Sequence, residues 1–375
     1  MSPLLHGVKT SIKRAVNSLG FHCVRPIMVI ESDDWGSTRV PSTDVLEAFQ
    51  QKYPHYELNH YQANDTLDSA KDLISLAELL RCFENDAGGA PLITLNYAMA
   101  NPLFDDDNHL LGLPFIYEPV WDTYWREQGK GTSSLDLMRS GAYSDVFKPQ
   151  LHGREHLNVT AWRKGIAQSE ALEWAYRQRM TGLDMGVYNG LDALNEDNSD
   201  ISFTEYLVDA YRLFNECFGF APKSFIPPCY TISKREERTL ASLGVRVLQS
   251  GMKVNRSIPK RRFIGIPTPM GSKAAEGQIR LVRNVQFEPS RELYGGACID
   301  AVVQQAFREI KRVIDGQQPA IVCSHRVNYV GGISEKNREQ SLECLNQLLT
   351  AVLRQYPNIQ FLSSDELGSL ILSQE

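Results

Sequence analysis

The sequence predicts an α/β fold in which parallel strands form a barrel and helices cover its outer face. Short β-rich runs alternate with longer helical patterns along most of the 375 residues. This order is typical of parallel strands joined by helical crossovers. Runs such as Ile27–Ile30 and Ala320–Cys323 are apolar at successive positions. They are therefore expected to be buried on both faces, like the strands of a barrel wall.

The strand predictions follow short β-rich runs that end in turn-forming or polar residues. They are Ile27–Glu31, Leu92–Asn96, Pro149–His152, Ser224–Pro227, Val245–Gln249, Phe263–Pro267, Ala320–Ser324 and Ile359–Ser363. The helix predictions follow apolar residues at helical spacing, with a capping residue in front or a proline behind. They are Asp65–Asn85, Thr160–Met180 behind Asn158, Phe203–Phe218 behind Ser202, Ile299–Asp315, and Glu335–Tyr356 before Pro357.

Two segments depart from this alternation. Residues 1–21 lack the apolar stretch and cleavage site of a signal peptide and predict a short basic amphipathic helix. This helix either packs on the outside of the barrel, which residues 22–375 are expected to form, or lies on a membrane surface. Residues 99–148 are rich in aromatic and acidic side chains, and a long irregular segment is usually functional. It is either a lid over the barrel mouth or a surface excursion with its own minor core.

Composition excludes several classes of function. The net charge of −6 leaves no excess of Lys and Arg to neutralise nucleic-acid phosphates. No apolar run approaches membrane-spanning length. The seven cysteines are dispersed without a CxxC pair, which indicates reduced thiols in a cytoplasmic protein. We therefore expect a cytoplasmic location, with peripheral attachment to the inner membrane open. The oligomeric state is not predicted.

Polar side chains follow three of the predicted strands, at the end where barrel enzymes hold their active sites. Asp33 and Asp34 follow the first strand, His152 ends the third, and His325 follows the strand that begins at Ala320. Two adjacent buried carboxylates are costly unless a cation lies beside them. An ordinary helix cap is the other reading of the aspartates, and a hydrogen-bonded structural histidine is the other reading of His325.

His152 and His156 have the i, i+4 spacing with which two imidazoles meet one ion, although an exposed pair has the same spacing. Glu155 does not make this a metalloprotease motif, because there the Glu follows the first His directly. One carboxylate and two imidazoles can hold a divalent metal, and the spare carboxylate can accept protons. The sequence therefore predicts a metal-dependent hydrolase.

The pattern resembles the polysaccharide deacetylase superfamily, metal-dependent hydrolases that remove acetyl groups from amino sugars. The resemblance covers most of the chain, roughly Ile27 to Leu367, and implies a distorted (β/α)7 barrel related to the TIM barrel. The stretch Ile359–Leu367 is similar to the last strand and helix of the family.

The resemblance assigns roles residue by residue. Asp33 corresponds to the general base, Asp34 and the pair His152 and His156 to the metal ligands, and His325 to the general acid. The implied cofactor is one divalent ion, most simply Zn²⁺, with Co²⁺, Ni²⁺ or Mn²⁺ also suitable. The implied substrate is a carbohydrate, and the reaction is hydrolysis of its amide.

Four departures from the family motifs are visible. Trp35 is inserted in the first motif, Gly153 replaces a Ser or Thr in the second, and Ile226 replaces an Arg in the third. The fourth motif, an Asp and Trp pair that contacts the catalytic His, has no convincing match. The family Arg orients the base, so Arg154 or Arg283 is expected to support Asp33 instead.

Further substrate contacts are expected from Tyr230, whose backbone N–H would hold an oxyanion by analogy, and from Trp162, which would stack on sugar rings. Two alternatives stay open. One is a glycoside hydrolase of a related barrel, in which Asp33 or Asp34 pairs with Glu118 or Glu288. The other is a catalytically inactive carbohydrate-binding relative.

Overall fold

The computed structural model describes residues 20–83, 89–104, 115–183, 203–258 and 262–374. Thirteen strands are present in these ranges. They are β1 Ile27–Trp35, β2 Ile93–Tyr97, β3 Ala100–Pro102, β4 Tyr117–Pro119, β5 Phe147–Leu151, β6 Ser224–Phe225, β7 Val247–Ser250, β8 Lys253–Ile258, β9 Arg262–Pro267, β10 Ile279–Val282, β11 Val285–Gln286, β12 Ala320–His325 and β13 Gln360–Phe361.

Thirteen α-helices accompany these strands in the same ranges. They are α1 Thr43–Lys52, α2 His60–Asn64, α3 Ala70–Arg81, α4 Val120–Gln128, α5 Ser134–Arg139, α6 Val159–Ile166, α7 Glu170–Arg177, α8 Phe203–Phe218, α9 Lys234–Ser242, α10 Pro289–Tyr294, α11 Ile299–Asp315, α12 Glu335–Gln355 and α13 Ser364–Ser373. Short 3₁₀ turns follow β6 and β12 at Pro228–Tyr230 and Arg326–Asn328.

A curled parallel sheet forms the centre of the molecule. Its strand order is β10-β7-β6-β5-β2-β1-β12-β11, and β13 pairs with the start of β1. β10 and β11 belong to one segment, which pairs with β7 at its beginning and with β12 at its end. This segment therefore joins both edges of the sheet. When β10 and β11 are counted as one strand, the barrel has seven strands, which confirms the predicted (β/α)7 barrel.

Along each of these strands, residues that face the barrel interior alternate with residues that face the surrounding helices. Ile27, Val29, Ile321 and Leu281 belong to an inner cluster that Leu367 of α13 also joins. The intervening residues, such as those at positions 28, 30, 320 and 322, pack under the surrounding helices. Continued toward the carboxyl ends, the inner alternation brings residues 31, 33, 283, 323 and 325 into the barrel.

Three of the predicted elements were wrong in detail. Phe263–Pro267 does not enter the barrel, because β9 pairs with β8 in a separate antiparallel hairpin. The predicted helix over residues 160–180 is two helices, since Ser169 caps a new one. The helix predicted from Asp65 begins only at Ala70, where Ser69 and Asp72 form a capping box.

The structure describes the second of the two irregular segments, residues 99–148, much more fully than the first, residues 1–21. The predicted amphipathic helix lies almost entirely outside the described residues. In residues 99–148, β3 and β4 form a small hairpin, and α4 and α5 follow it. Tyr124 of this region is fully buried against the main core. No described helix has the length and apolar character of a membrane span, and all seven cysteines are free.

Candidate metal centre and active site

A cavity of about 350 Å³ opens at the carboxyl ends of the barrel strands. All five predicted metal and catalytic residues line it: Asp33, Asp34, His152, His156 and His325. The other lining residues are Arg39, His60, Tyr61, Pro227, Cys229, Tyr230, Gln286, Glu288, Arg291 and Cys323. The strand ends therefore bring together residues that are far apart in the sequence.

Asp34 reaches the cavity because the end of β1 is irregular. The register with β2 shifts between Ser32 and Trp35, and Asp34 adopts a φ of 73°. A bulge of this kind re-aims a side chain that would otherwise point to the opposite face from its neighbour. The Trp35 indole is buried and donates a hydrogen bond to Ser32 Oγ at 2.9 Å. The inserted tryptophan thus anchors the turn that lets Asp33 and Asp34 share one cavity.

The loop after β5 positions the two histidines. Gly153 adopts a φ of 108°, and a Cβ atom there would lie well inside 3.0 Å of the Tyr206 hydroxyl. That hydroxyl accepts a hydrogen bond from the backbone N–H of Arg154 and donates one to the Glu155 carbonyl, both at 2.8 Å. The glycine that departs from the family motif is therefore required by the buried tyrosine that holds this loop.

The donor atoms of Asp34, His152 and His156 lie within 4.8 Å of one another. Both imidazole Nε2 atoms are 3.5 Å from Asp34 Oδ1. Two donors that each lie about 2.1 Å from a tetrahedral ion are roughly 3.4 Å apart. The observed distances of 3.5 Å from Asp34 Oδ1 to the two Nε2 atoms therefore fit such an ion.

His152 is also oriented as a ligand needs. Its Nδ1 donates a hydrogen bond to the Ile226 carbonyl at 2.8 Å, which leaves Nε2 as the nitrogen that can bind an ion. Nε2 is buried without a hydrogen-bond partner among the described residues. A buried, unsatisfied imidazole nitrogen beside a carboxylate and a second imidazole fits a divalent ion such as Zn²⁺.

Asp33 is held by Arg283 from inside the barrel. Both Nη atoms of Arg283 contact the carboxylate of Asp33 at 2.6 Å, and Nε contacts Glu31 at 2.6 Å. Asn96 donates a further hydrogen bond to Asp33 at 2.8 Å. Burial alone would raise the pKa of Asp33, but the Arg283 guanidinium holds that pKa below its usual range. Asp33 therefore remains a carboxylate at neutral pH.

His325 and Glu288 form a dyad on the same cavity. His325 Nδ1 lies 2.6 Å from Glu288 Oε1, and His325 Nε2 lies 3.8 Å from Asp33 Oδ2. The other oxygen of Glu288 accepts a hydrogen bond from Asn328 at 2.9 Å. Burial opposes a charged imidazole, but Glu288 raises the pKa of His325 well above its usual value. His325 can therefore hold a proton at neutral pH.

A buried ion-pair network supports Asp34 from the opposite side. Arg39 contacts Asp34 Oδ2 at 3.2 Å and Asp65 at 2.9 Å. Arg326, which has no exposed surface, contacts Asp65 at 3.0 Å and donates to the Ser37 carbonyl at 2.6 Å. Burial alone would raise the pKa of Asp34, but Arg39 and His156 hold it well below its usual range. Oδ2 of Asp34 therefore contacts Arg39, and Oδ1 of Asp34 faces His152 and His156.

Other predicted residues lie elsewhere or act differently. Arg154 is buried and pairs with Glu155 and Asp209, so it does not support Asp33. Trp162 is 2% exposed in an apolar cluster outside the cavity and has no face open to a sugar. Glu118 pairs with Thr123 and Arg126. The other acid of the glycosidase alternative, Glu288, is engaged by His325.

Tyr230 lines the cavity, but its backbone N–H donates to the Pro227 carbonyl at 2.9 Å. The expected oxyanion contact from that N–H is therefore wrong, because the group is already bonded. Sequence reasoning also missed Glu288 as the partner of His325. The signal was the run Val285–Glu288, in which an acid follows a short apolar strand, as Asp33 does.

Comparisons with known proteins show the fold. The chain matches no protein-family model and no curated protein. A solved structure described as a candidate glycoside hydrolase/deacetylase from Parabacteroides distasonis is 10% identical with a TM-score of 0.51, over 94% of this chain and 73% of that one. This likeness shows the fold, and it agrees with the barrel that the sequence predicts.

Two further solved structures are similar to this chain. One is a family 4 carbohydrate esterase from Streptomyces lividans in complex with acetate, at 10% identity and a TM-score of 0.38, covering 92% of this chain and 95% of that one. The other is a pseudoenzyme of the same esterase family from Bacillus anthracis, at 9% identity and a TM-score of 0.38, covering 93% and 66%.

Proposed function

We propose that this protein is a metal-dependent hydrolase that removes an N-acetyl or related acyl group from an amino sugar or glycan precursor. The observation that supports it best is the meeting of two functional sets in one cavity. Asp34, His152 and His156 offer three ligands for one divalent ion. Asp33 and His325 stand beside them with the protonation states that a base and an acid need.

In this proposal Asp34, His152 and His156 hold the metal. A divalent ion bound by such ligands lowers the pKa of water toward about 7 and polarises a carbonyl oxygen. The hydrogen bond from His152 Nδ1 and the Arg39 contact to Asp34 orient two of the three donor atoms toward the position between them. The protein thus supplies ligands that need no rearrangement when the ion binds.

Asp33 accepts the proton of the attacking water. The Arg283 guanidinium and Asn96 keep its carboxylate charged and in one orientation. The same contacts make Asp33 a weak base, so the water that it deprotonates must itself be made acidic. The roles of the ion and of Asp33 therefore depend on each other.

His325 gives its proton to the departing amine. An amine is a poor leaving group unless it is protonated as the carbon–nitrogen bond breaks. Glu288 keeps the imidazole charged at neutral pH and orients it through Nδ1. Nε2 is then the nitrogen that faces the cavity and the substrate.

The metal set is tested by elemental analysis of the purified protein. We expect about one divalent ion per chain, lost in His152→Ala and in His156→Ala. His55→Ala is the matched control, because His55 is an exposed histidine outside the cavity. Full metal content in both ligand variants would exclude the assignment.

The base is tested by measuring amine release from N-acetylated amino sugars. Asp33→Asn should lower the rate by on the order of 10²–10⁴ while the bound metal is retained. An equal rate in Asp33→Asn would remove Asp33 from this role. The absence of amine release from wild-type protein carrying its metal, over a panel of acylated amino sugars, would instead support the inactive alternative.

A further inference from the structure

A second group of metal-ligand types lies next to the first and shares no residue with it. The donor atoms of Glu288, Cys323 and His325 lie within 4.8 Å of one another. Glu288 and Cys323 are buried, and His325 is partly open to the cavity. Among the residues that the structure describes, only this group and the Asp34 group have this proximity.

The carboxylate of Glu288 is oriented toward the other two residues. Asn328 donates to Oε2 at 2.9 Å, which leaves Oε1 facing His325 Nδ1 at 2.6 Å and Cys323 Sγ at 3.9 Å. A neighbour that fixes one oxygen of a carboxylate and presents the other is a common support of metal sites. Oε1 of Glu288 is therefore the oxygen within reach of both other donors, and Cys323 Sγ also lies 3.4 Å from the Tyr230 hydroxyl and 3.5 Å from Arg283 Nη1.

The three donors differ in chemistry from those of the first set. Thiolate and imidazole select Zn²⁺ over Mg²⁺ and Mn²⁺, which prefer oxygen ligands. A tetrahedral zinc ion holds a sulfur and an oxygen donor roughly 3.5 Å apart, close to the 3.9 Å between Cys323 and Glu288. The short contact between His325 and Glu288 would have to open by a fraction of an ångström.

We propose that Glu288, Cys323 and His325 form a second binding site, selective for zinc, that fills when zinc is in excess. Binding displaces the Cys323 thiol proton and the proton shared between His325 and Glu288. Both protons leave to solvent, because metal ligands bind in their deprotonated forms. The close contact between His325 Nδ1 and Glu288 must open before an ion can enter, whereas the Nε2 atoms of the first site already lie 3.5 Å from Asp34 Oδ1. The second site is therefore weaker than the first.

The consequence for catalysis rests on the proposed function. An ion at Nδ1 of His325 takes the place of the Nδ1 proton and of the hydrogen bond to Glu288 that orients the imidazole. Excess zinc then removes the general acid and inhibits amine release, whereas the same concentration of Mn²⁺ does not. The rate of amine release would therefore fall as the zinc concentration rises.

Metal stoichiometry tests the site without any substrate. Wild-type protein equilibrated with a small excess of free Zn²⁺ should hold two ions per chain, and with Mn²⁺ one. Cys323→Ser should hold one zinc, and its urea unfolding curve shows whether the fold is intact. Cys298→Ser is the matched control, because Cys298 is exposed and outside the cavity; it should still hold two.

Cobalt gives a direct view of the ligand. Co²⁺-loaded wild type should show a thiolate-to-metal charge-transfer absorption that Cys323→Ser lacks and Cys298→Ser keeps. Three results would each overturn the proposal. They are two zinc ions in a folded Cys323→Ser, a single ion in wild type under zinc excess, and a charge-transfer absorption in Cys323→Ser equal to that of wild type. His152→Ala should lose one ion but keep the absorption, so a failure of the first site is distinguished from a failure of the second.

Discussion

The loop that carries both histidines offers the sharpest test of the site's construction. Gly153→Ala places a Cβ atom on the Tyr206 hydroxyl and puts an L-residue at a φ of 108°. The backbone strain costs about 1–3 kcal/mol. Displacing the hydroxyl from the backbone groups of Arg154 and Glu155 costs about 1–3 kcal/mol more. We expect Gly153→Ala to lower the free energy of unfolding by about 2–6 kcal/mol in total.

A double-mutant cycle separates the two contributions. In Tyr206→Phe the hydroxyl is absent, and the nearest remaining ring atom would lie 3.4 Å from the new Cβ, an ordinary contact. Adding Gly153→Ala to Tyr206→Phe should therefore cost only the backbone strain. The expected coupling between the two positions is therefore the cost of displacing the hydroxyl, about 1–3 kcal/mol.

Urea unfolding without metal and zinc competition against a chelator measure the two effects. Gly219→Ala is the matched control, because Gly219 also has a positive φ, of 75°, and no atom lies near its Cβ position. We expect Gly153→Ala to weaken zinc binding as well as stability, whereas Gly219→Ala affects neither the zinc affinity nor the cavity. Additive effects at positions 153 and 206, with unchanged zinc affinity, would refute this account of the loop.

Two further predictions concern the buried charges. Arg283→Met leaves Glu31 and Asp33 without a counter-ion and should lower the free energy of unfolding by about 3–5 kcal/mol at neutral pH. The loss should shrink as the pH falls, because carboxylates unpaired in the folded variant take up protons. Urea midpoints measured over a pH series test this; Arg308→Met, an exposed control, should show little change, and a pH-independent loss would contradict the reasoning. Glu288→Gln removes the charge that raises the pKa of His325, and burial then lowers that pKa. The upper limb of the pH profile of amine release should therefore move to lower pH, with kcat falling more than KM rises at neutral pH, and an unmoved limb would exclude Glu288 from this role.

The barrel and the five central residues could be predicted because their signals are local. Strands that are apolar at successive residues indicate the wall of the barrel. The Asp or His residues at their ends indicate the end of the barrel at which the site lies. Arg283 was harder, but the alternation of Ile279, Leu281 and Arg283 places it inside the barrel once that strand is recognised. The strand was missed because Phe263–Pro267 has a stronger β pattern, and only tertiary pairing decides between the two.

The remaining contacts could not be predicted because they join positions that no sequence pattern connects. Tyr206 lies in the first turn of α8 and contacts the histidine loop from 51 residues away. Glu288 contacts His325 across 37 residues. Such pairs depend on how helices and loops pack around the strand ends, which hydrophobic periodicity does not specify.

Two of the four departures from the motifs of the deacetylases that the sequence resembles, Ile226 and the absent fourth motif, are matched by contacts from other residues. Arg283 supplies the guanidinium that Ile226 lacks, and Glu288 supplies the carboxylate partner that the absent fourth motif would give His325.

Removing Arg283 alone is costly, but the buried set of Arg283, Glu31 and Asp33 as a whole contributes little net stability compared with apolar residues of similar volume, since desolvating the charges offsets their attraction. Folding alone therefore does not account for the presence of this charged set inside the barrel. The contacts to Asp33 and His325 are those that the proposed hydrolase requires, and they support the proposed function over the inactive alternative.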